Sequence, residues 1–131
     1  MPPAASSELY KRQMPVCRLA GGANAPAAAY LRARSSCESL SARALDTLAD
    51  VDVFLAPTTA SPALPVAEVD ASPEAYQYWN GAYSRNTVVG NMLGLCAVTV
   101  PCGLNERGLP IGLMVHAKPH CEAVALRVEY A

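Results

Sequence analysis

The stretch TVVGNMLGLCAVTVPCGLNERGLP, residues 87–110, limits the possible folds more than any other part of the chain. Its apolar spacing predicts a helix over residues 87–93, and Gly94 is suited to end that helix because glycine adopts the left-handed C-terminal conformation without steric cost. The β-prone run 97–101 predicts a strand, residues 105–108 predict a turn with Gly108 at positive φ, and residues 110–117 predict a returning strand. This order predicts a helix followed directly by an antiparallel hairpin.

The segments before this block predict further helices and one more strand. Asn24 and Pro26 favour a helix start, and the next twenty-odd residues have an amphipathic period that ends near residues 49–50. The apolar face of that helix is predicted to comprise Cys37, Leu40, Ala44, Leu45 and Leu48. Residues 51–55 are apolar except for Asp52, and such a run is typical of a strand buried on both faces in a parallel or mixed sheet.

The predicted loops and chain ends complete the description of the fold. Residues 58–71 follow Pro57, contain two more prolines and predict an irregular surface connection, and Ser72 with Pro73 predicts the start of a short helix. A last helix is expected over residues 122–130. Residues 1–15 have no clear period and predict a loose N-terminal leader, so the folded part is expected to span residues 16–131 as one α/β domain.

Composition argues against several classes of function. The net charge is −1 and no basic run is present, which argues against a nucleic-acid partner. No run approaches about 18 apolar residues, so no membrane span is predicted, and the N-terminus lacks a signal pattern. Five cysteines without paired spacing indicate free thiols and a cytoplasmic location. The hydrophobic share of 52% suggests that other polypeptide covers part of the surface.

One candidate for chemistry is a cysteine nucleophile. Cys102 follows a predicted strand, and His116 or His120 could act as its base. The alternative, which we favour, is that Cys102 is a small residue in a tight turn, because no glycine-rich elbow or following helix offers an oxyanion hole. The two histidines could also bind a metal ion, but the ligand count and spacing are poor, so we expect no metal site.

The candidate substrate-binding residues are one polar side chain and two aromatic ones. Asn91 lies within an apolar helix, where it could orient a substrate, although an asparagine there more often satisfies buried backbone groups. Trp79 and Tyr83 belong to an aromatic-rich segment that could line a pocket, although a loop packed on the core is the commoner role for such a cluster.

Three segments, in order, resemble the C-terminal part of the amidase signature family. They are DVFLAPTT at residues 52–59, TVVGNMLGLCAVTVPCG at residues 87–103 and GLPIGLMV at residues 108–115. The resemblance implies a partial amidase-signature fold, with a mixed β-sheet flanked by helices. It also implies hydrolysis of carbon–nitrogen amide bonds by acyl transfer to serine, with a small-molecule amide as substrate and no cofactor.

The resemblance also defines what this chain lacks. The family uses a lysine, a cis-bonded serine and a nucleophilic serine, and the lysine and the glycine- and serine-rich loop lie upstream of the matching part. No catalytic residue therefore carries over, and we expect the chain to be inactive alone. Cys96 stands where the family usually has proline, and Ser84 stands where the transamidase branch has an acid, which favours a plain amidase.

A second hypothesis is that the chain is a non-catalytic association module. Its high apolar share and a last helix without a clear end suggest pairing with itself or with the missing N-terminal part.

Overall fold

The computed structural model describes residues 22–130. In chain order its elements are α1 (Ala27–Thr47), β1 (Val53–Pro57), α2 (Val66–Val69), α3 (Pro73–Leu93), β2 (Cys96–Leu104), β3 (Pro110–Ala117) and α4 (Glu122–Glu129). The chain divides into two compact units, Met1–Ser36 and Cys37–Ala131, with the boundary inside α1. The sheet, and the cavities described below, belong to the second unit. The leader predicted for residues 1–15 lies outside the described residues.

The strands form one sheet in the order β1-β3-β2, with β3 in the centre. Both pairs are antiparallel: Leu55 of β1 and Val98 of β2 lie on either side of Val115. The α/β class is confirmed, and so is the predicted hairpin, whose turn has Gly108 at φ 72°. Within residues 22–130 the sheet is antiparallel throughout, so the parallel or mixed pairing expected for the first strand is not seen there.

One face of the sheet packs on α4 and forms the core. Val115 and Ala117 of β3 and Ala125 of α4 are buried together, and partly buried side chains from the edge strands and from the start of α4 surround them. These surrounding residues are Val53, Cys96, Val98 and Cys121. The alternation of β3 side chains between two faces, as predicted, places Val115 here, because successive residues of a strand point to opposite sides.

The opposite face of β3 is also buried, and it contains a histidine. His116 is only 2% exposed, and its ring stacks on Phe54 of β1 at a centroid distance of 4.5 Å. Gly90, the buried residue of α3, lies against the same ring. β3 is therefore covered by α4 on one side and approached by α3 on the other.

The prediction of separate helices over residues 72–93 is wrong. Both predicted ends are correct, since Ser72 caps the start by accepting a hydrogen bond from the Ala75 N–H and Gly94 ends the helix at φ 70°. Between them α3 runs without a break for 21 residues. A helix passes through Gly81 because one glycine costs only about 1 kcal/mol, which the other residues offset.

Several boundaries and burial predictions also need correction. The first strand begins at Val53, not at residue 51, and it is not buried on both faces: Leu55 is 55% exposed because β1 is an edge strand among the described residues. The irregular connection contains the short helix α2. On α1, Leu40 is 50% exposed, so the predicted apolar face is only partly covered.

Candidate functional site

A cleft of about 520 Å³ opens where β1 ends and β3 begins. This volume is in the range of ligand sites in proteins, about 300–1,000 Å³. The lining comes from the connection after β1, from α2 and α3, and from the two hairpin strands. The residues are Thr58, Thr59, Ser61, Pro62, Ala63, Leu64, Val69, Tyr83, Thr99, Pro101, Pro110, Ile111 and Gly112.

Two threonine hydroxyls meet in this cleft across the central strand. Thr58 extends β1 by one residue, and its N–H donates to the Gly112 carbonyl at 2.9 Å. The Thr58 hydroxyl donates to the Thr99 hydroxyl of β2 at 3.2 Å. The pair forms above Gly112 because that residue has no side chain: a Cβ there would lie 2.7 Å from the Thr58 Oγ1 and 3.0 Å from the Thr99 Cγ2.

Tyr83 fixes the wall of the cleft to helix α3. Its hydroxyl accepts a hydrogen bond from the Leu64 N–H at 3.0 Å and donates to the Pro62 carbonyl at 3.1 Å. Asn86, about one turn later, donates to the Pro57 carbonyl at 2.7 Å. α3 therefore holds both the end of β1 and the proline-rich connection that follows it.

The three predicted substrate-binding residues lie in different places along α3. Tyr83 lines the cleft. Trp79 is outside the lining, but its ring lies 6.1 Å from the Tyr83 ring. Asn91 is exposed and lies eight residues beyond Tyr83, about 12 Å along the helix. A role of Tyr83, Trp79 or Asn91 in substrate binding stays a prediction.

The thiol and imidazole groups of the cysteine hypothesis are far apart. Cys102 is exposed at a bulge of β2, and its thiol donates to the Ile111 carbonyl at 3.5 Å. His116 pairs with Ala97, five residues away along β2, which corresponds to roughly 16 Å. His120 is exposed in the connection after β3. The favoured alternative, a small residue in a tight turn, needs correction, because β2 continues to Leu104 and Cys102 lies at a bulge within it.

His116 is unsuited to act as a base at any surface site. Burial lowers the pKa of His116 below its ordinary value of 6.5, because desolvation disfavours the charged imidazolium. Its Nδ1 atom has no hydrogen-bond partner among the residues that the structure describes. The ring is therefore a neutral part of the packing between β3 and α3.

Charged side chains are absent from the described lining of the cleft. Its polar groups are hydroxyls and backbone amides, whereas Glu106 and Arg107 line a separate cavity of about 580 Å³ on the other side of residues 62–64. Ser84 lies outside the cleft, and its hydroxyl donates to the Asn80 carbonyl at 2.6 Å. The cleft can therefore offer hydrogen bonds but no counter-ion.

Sequence reasoning missed Thr58, Thr99 and Gly112 as site residues. The available signal was the threonine pair at residues 58–59, directly after a predicted strand in a proline-rich connection. A further signal was Gly112 within the predicted strand, because glycine inside a strand often marks a close approach of another group. Thr99 does not differ locally from an ordinary strand residue. Only the pairing of three strands brings them together with Thr58.

Comparison with known proteins places this architecture in one family. The family model for amidases matches residues 2–126. The chain belongs to the amidase family. The match also confirms the resemblance seen in the three sequence segments.

Individual amidase relatives agree with this assignment. Over 105 residues the chain is 37% identical to 2-amino-5-chloromuconic acid deaminase of Comamonas testosteroni, covering 76% of this chain and 22% of the relative. Over 102 residues it is 36% identical to a glutamyl-tRNA(Gln) amidotransferase subunit from Koribacter versatilis, covering 78% and 20%. The chain thus spans about a fifth of the length of these relatives.

A solved structure agrees at the level of the fold. The crystal structure of a glutamyl-tRNA(Gln) amidotransferase subunit from Thermotoga maritima superposes with a TM-score of 0.70 at 23% identity. The match covers 94% of this chain and 26% of that one. The helices and hairpin described above are therefore an arrangement found within a larger protein of the same fold.

Proposed function

We propose that this chain is the C-terminal part of an amidase that cleaves carbon–nitrogen amide bonds by acyl transfer to serine. In the intact enzyme it supplies one wall of the substrate cleft for a small-molecule amide. The chain alone hydrolyses no amide. The observation that carries this proposal is family membership combined with a ligand-sized cleft whose described lining has no nucleophile and base in contact.

The proposal follows from what serine acyl transfer requires. A serine hydroxyl must give up its proton to a base within hydrogen-bond reach. Ser61 is the serine of the described lining, and its hydroxyl donates instead to the Pro62 carbonyl at 3.1 Å. Lys118, the lysine among residues 22–130, donates to the Ala49 carbonyl at 3.0 Å and does not line the cleft. Neither residue forms part of a reactive pair.

Ammonia release tests the proposal directly. The purified chain is assayed with a panel of small primary amides beside a full-length amidase of the same family. We expect release from the full-length enzyme and none above buffer from the chain. Turnover by the chain that is lost in Cys102→Ala or His116→Ala would contradict the proposal.

A chimera tests the part of the proposal that gives this chain a role in the substrate cleft of the intact enzyme. Residues 16–131 replace the corresponding segment of a full-length family member, and a matched chimera carries Gly112→Ala. We expect the first chimera to release ammonia and the second to be impaired, because a Cβ at residue 112 displaces Thr58 from the cleft. A folded but inactive first chimera would contradict a role for this chain in the substrate cleft.

The second candidate function is a non-catalytic association module, and a specific surface favours it. An apolar groove of about 370 Å³ runs between the second half of α1 and the end of α3, where Leu40 and Met92 are each at least half exposed. Ser41 donates to the Leu93 carbonyl at 2.8 Å and holds the two helices together at this groove. Sedimentation over a hundredfold concentration range tests this candidate: reversible dimerisation weakened by Leu40→Glu supports it, and a monomer throughout contradicts it.

We also propose a cytoplasmic location. The four described cysteines are free, and the Cys96 thiol donates to the Lys118 carbonyl at 3.1 Å, a contact that uses the reduced form. Fractionation of cells that express a tagged chain tests this proposal, and recovery in the periplasmic or secreted fraction would contradict it.

A further inference from the structure

Two of the described cysteines lie at the same end and on the same face of the sheet. Cys96 is the first residue of β2 and pairs with Ala117, the last residue of β3. Cys121 stands immediately before α4, the helix that packs on this face. Both cysteines pack against the buried cluster of Val115, Ala117 and Ala125. The hairpin and the start of α4 therefore bring two thiols that are distant in sequence to one place.

A shared hydrogen-bond acceptor shows how close the two cysteines are. The Cys96 thiol donates to the Lys118 carbonyl at 3.1 Å, and the Cys121 N–H donates to the same oxygen at 3.1 Å. The Cys96 sulfur therefore lies within two hydrogen-bond lengths of the Cys121 backbone. A disulfide requires Cα atoms about 4.4–6.8 Å apart. An adjustment of this turn and of the two side-chain rotamers separates the observed arrangement from a bridge.

Both thiols are available for reaction. Cys96 and Cys121 are free and only partly buried, so a small reagent in solution can reach them. The Cys121 side chain makes no capping hydrogen bond to α4, and so it can rotate without loss of a cap. Cys102 lies near the opposite end of β2, and Cys37 lies in α1 beside the α1–α3 groove. Among residues 22–130, Cys96 and Cys121 are thus the cysteines that the fold brings together.

We propose that Cys96 and Cys121 are a reversible redox pair, which forms a disulfide by exchange with a small disulfide such as glutathione disulfide. The Cys121 thiolate attacks one glutathione sulfur, forms a mixed disulfide and releases one glutathione. The Cys96 thiolate then attacks the Cys121 sulfur and releases the second glutathione. Two protein thiols are oxidised and one glutathione disulfide is reduced. The two protein S–H protons end on the two glutathione molecules.

The bridge acts as a lock between the hairpin and α4. It joins the first residue of β2 to the residue before α4, so the start of the helix cannot leave the sheet until the disulfide opens. In the reduced chain, packing and the two hydrogen bonds to the Lys118 carbonyl hold this corner. The lock responds to the balance of thiols and disulfides and needs no amide hydrolysis. It therefore goes beyond the proposed function and does not depend on it.

Peptide mapping identifies the bridge. The full chain carrying Cys102→Ser, which leaves Cys96 as the cysteine of its tryptic peptide, is equilibrated in glutathione buffers of graded ratio, quenched with acid, alkylated and digested. Cleavage after Arg107 separates the two cysteines, so the bridge links peptide 86–107 to peptide 108–127. We expect the linked peptides in oxidised monomer and their loss on return to reduced glutathione. Mixed glutathione adducts without the link, or a link between two chains, would overturn the proposal.

Variants and a denatured sample show whether the fold causes the pairing. Cys96→Ser and Cys121→Ser should each abolish the linked peptides, and Cys121→Ser keeps a preferred N-cap residue before α4. Cys37→Ser is the control and should leave the link unchanged. In urea we expect half-oxidation of the pair to need a glutathione ratio at least about tenfold more oxidising, because the native turn no longer holds the thiols together. Equal ratios for folded and unfolded chain would overturn the proposal.

Hydrogen exchange measures the lock itself. We expect the amides of residues 125–129 to exchange at least about tenfold more slowly in the bridged chain than in the reduced chain, because α4 can no longer open locally. The amides of α1, which contains neither cysteine of the pair, should be unchanged. Exchange in α4 that does not respond to the bridge would overturn the proposed lock. Each of these outcomes leaves the assignment to an inactive part of an amidase untouched, since none of them measures amide cleavage.

Discussion

At the scale of single residues, two glycines decide where side chains can meet. Gly112 leaves room for the hydroxyls of Thr58 and Thr99, and Gly90 leaves room for the His116 ring. Neither glycine has a positive φ, so their importance lies in the missing Cβ and not in backbone conformation. Gly94 and Gly108 are the opposite case, since each adopts positive φ with open space around it.

Gly90 provides a stability test with a control in the same helix. A Cβ at residue 90 would lie 3.0 Å from the His116 Cε1 atom, whereas a Cβ at Gly81 has no neighbour within 4 Å. We expect Gly90→Ala to lower the free energy of unfolding by about 1–3 kcal/mol through overpacking. Gly81→Ala should raise it by up to about 1 kcal/mol through helix propensity. Urea unfolding measures both, and stabilisation by both substitutions would contradict the close contact at His116.

His116 makes stability depend on pH. Because burial lowers its pKa below 6.5, the folded state binds fewer protons than the unfolded state at mildly acidic pH. The stability contributed by the neutral ring is therefore present above about pH 6.5 and is lost as the pH falls from that value toward the folded-state pKa. We expect the free energy of unfolding to be lower at pH 5.5 than at pH 7.5.

Two variants isolate that effect. His116→Leu removes the titrating group and should flatten the pH dependence between 5.5 and 7.5, whereas His120→Ala changes an exposed residue and should leave the dependence intact. Glu74, whose pKa is lowered by its own backbone N–H and by Ser72, titrates below 4.5 and does not contribute in this window. An unchanged slope in His116→Leu would show that another group is responsible.

At the scale of elements, α3 contacts both the cleft and the central strand of the sheet. Its first half presents Tyr83 to the cleft, and its second half packs Gly90 on the sheet. The rigid connection between these positions requires a continuous helix. The stability of that helix depends in turn on hydrogen bonds that satisfy backbone groups at its two ends. Ser72 satisfies a free N–H at the start, and the Gly94 N–H donates to the Gly90 carbonyl at the other end.

The N-terminal cap of α3 can be tested by a single substitution. Ser72→Ala removes the acceptor for the Ala75 N–H, which lies 3.1 Å from the serine oxygen. We expect a loss of about 1 kcal/mol in the free energy of unfolding. Ser39→Ala is the control, because Ser39 is an exposed residue within α1 and alanine has the higher helix propensity there. Equal effects of the two substitutions on urea unfolding would exclude a capping contribution from Ser72.

At the scale of the whole molecule, stability is concentrated in one strand. Among residues 22–130 the buried positions lie in β3, with Gly90 and Ala125 from the flanking helices. β1 and β2 each have one neighbour in the described sheet, while β3 has two. No helix within residues 22–130 is long and apolar enough to cross a membrane. The described fold is thus a central strand with less protected edges.

Amide hydrogen exchange tests this distribution. We expect the amides of residues 113–117, which are paired on both sides, to exchange at least about a hundredfold more slowly than the amides of α1, which has no buried residue. The reason is that β3 amides open only with the sheet, whereas α1 can open locally. Similar protection in β3 and α1 would mean that α1 is covered by a contact beyond those within residues 22–130, such as a second copy at the α1–α3 groove.

The sequence alone determined the features that depend on residues adjacent to one another in the chain. The Ser72 cap, the Gly94 end, the turn at Gly108 and the bounds of β3 follow from local conformational preferences, and the family follows from three ordered segments. Tertiary structure alone decided the exposure of β1, the continuity of α3, the burial of His116 and the meeting of Thr58 with Thr99 over Gly112. These features depend on which strands and helices lie side by side, because burial and hydroxyl contacts arise between residues that are far apart in the chain.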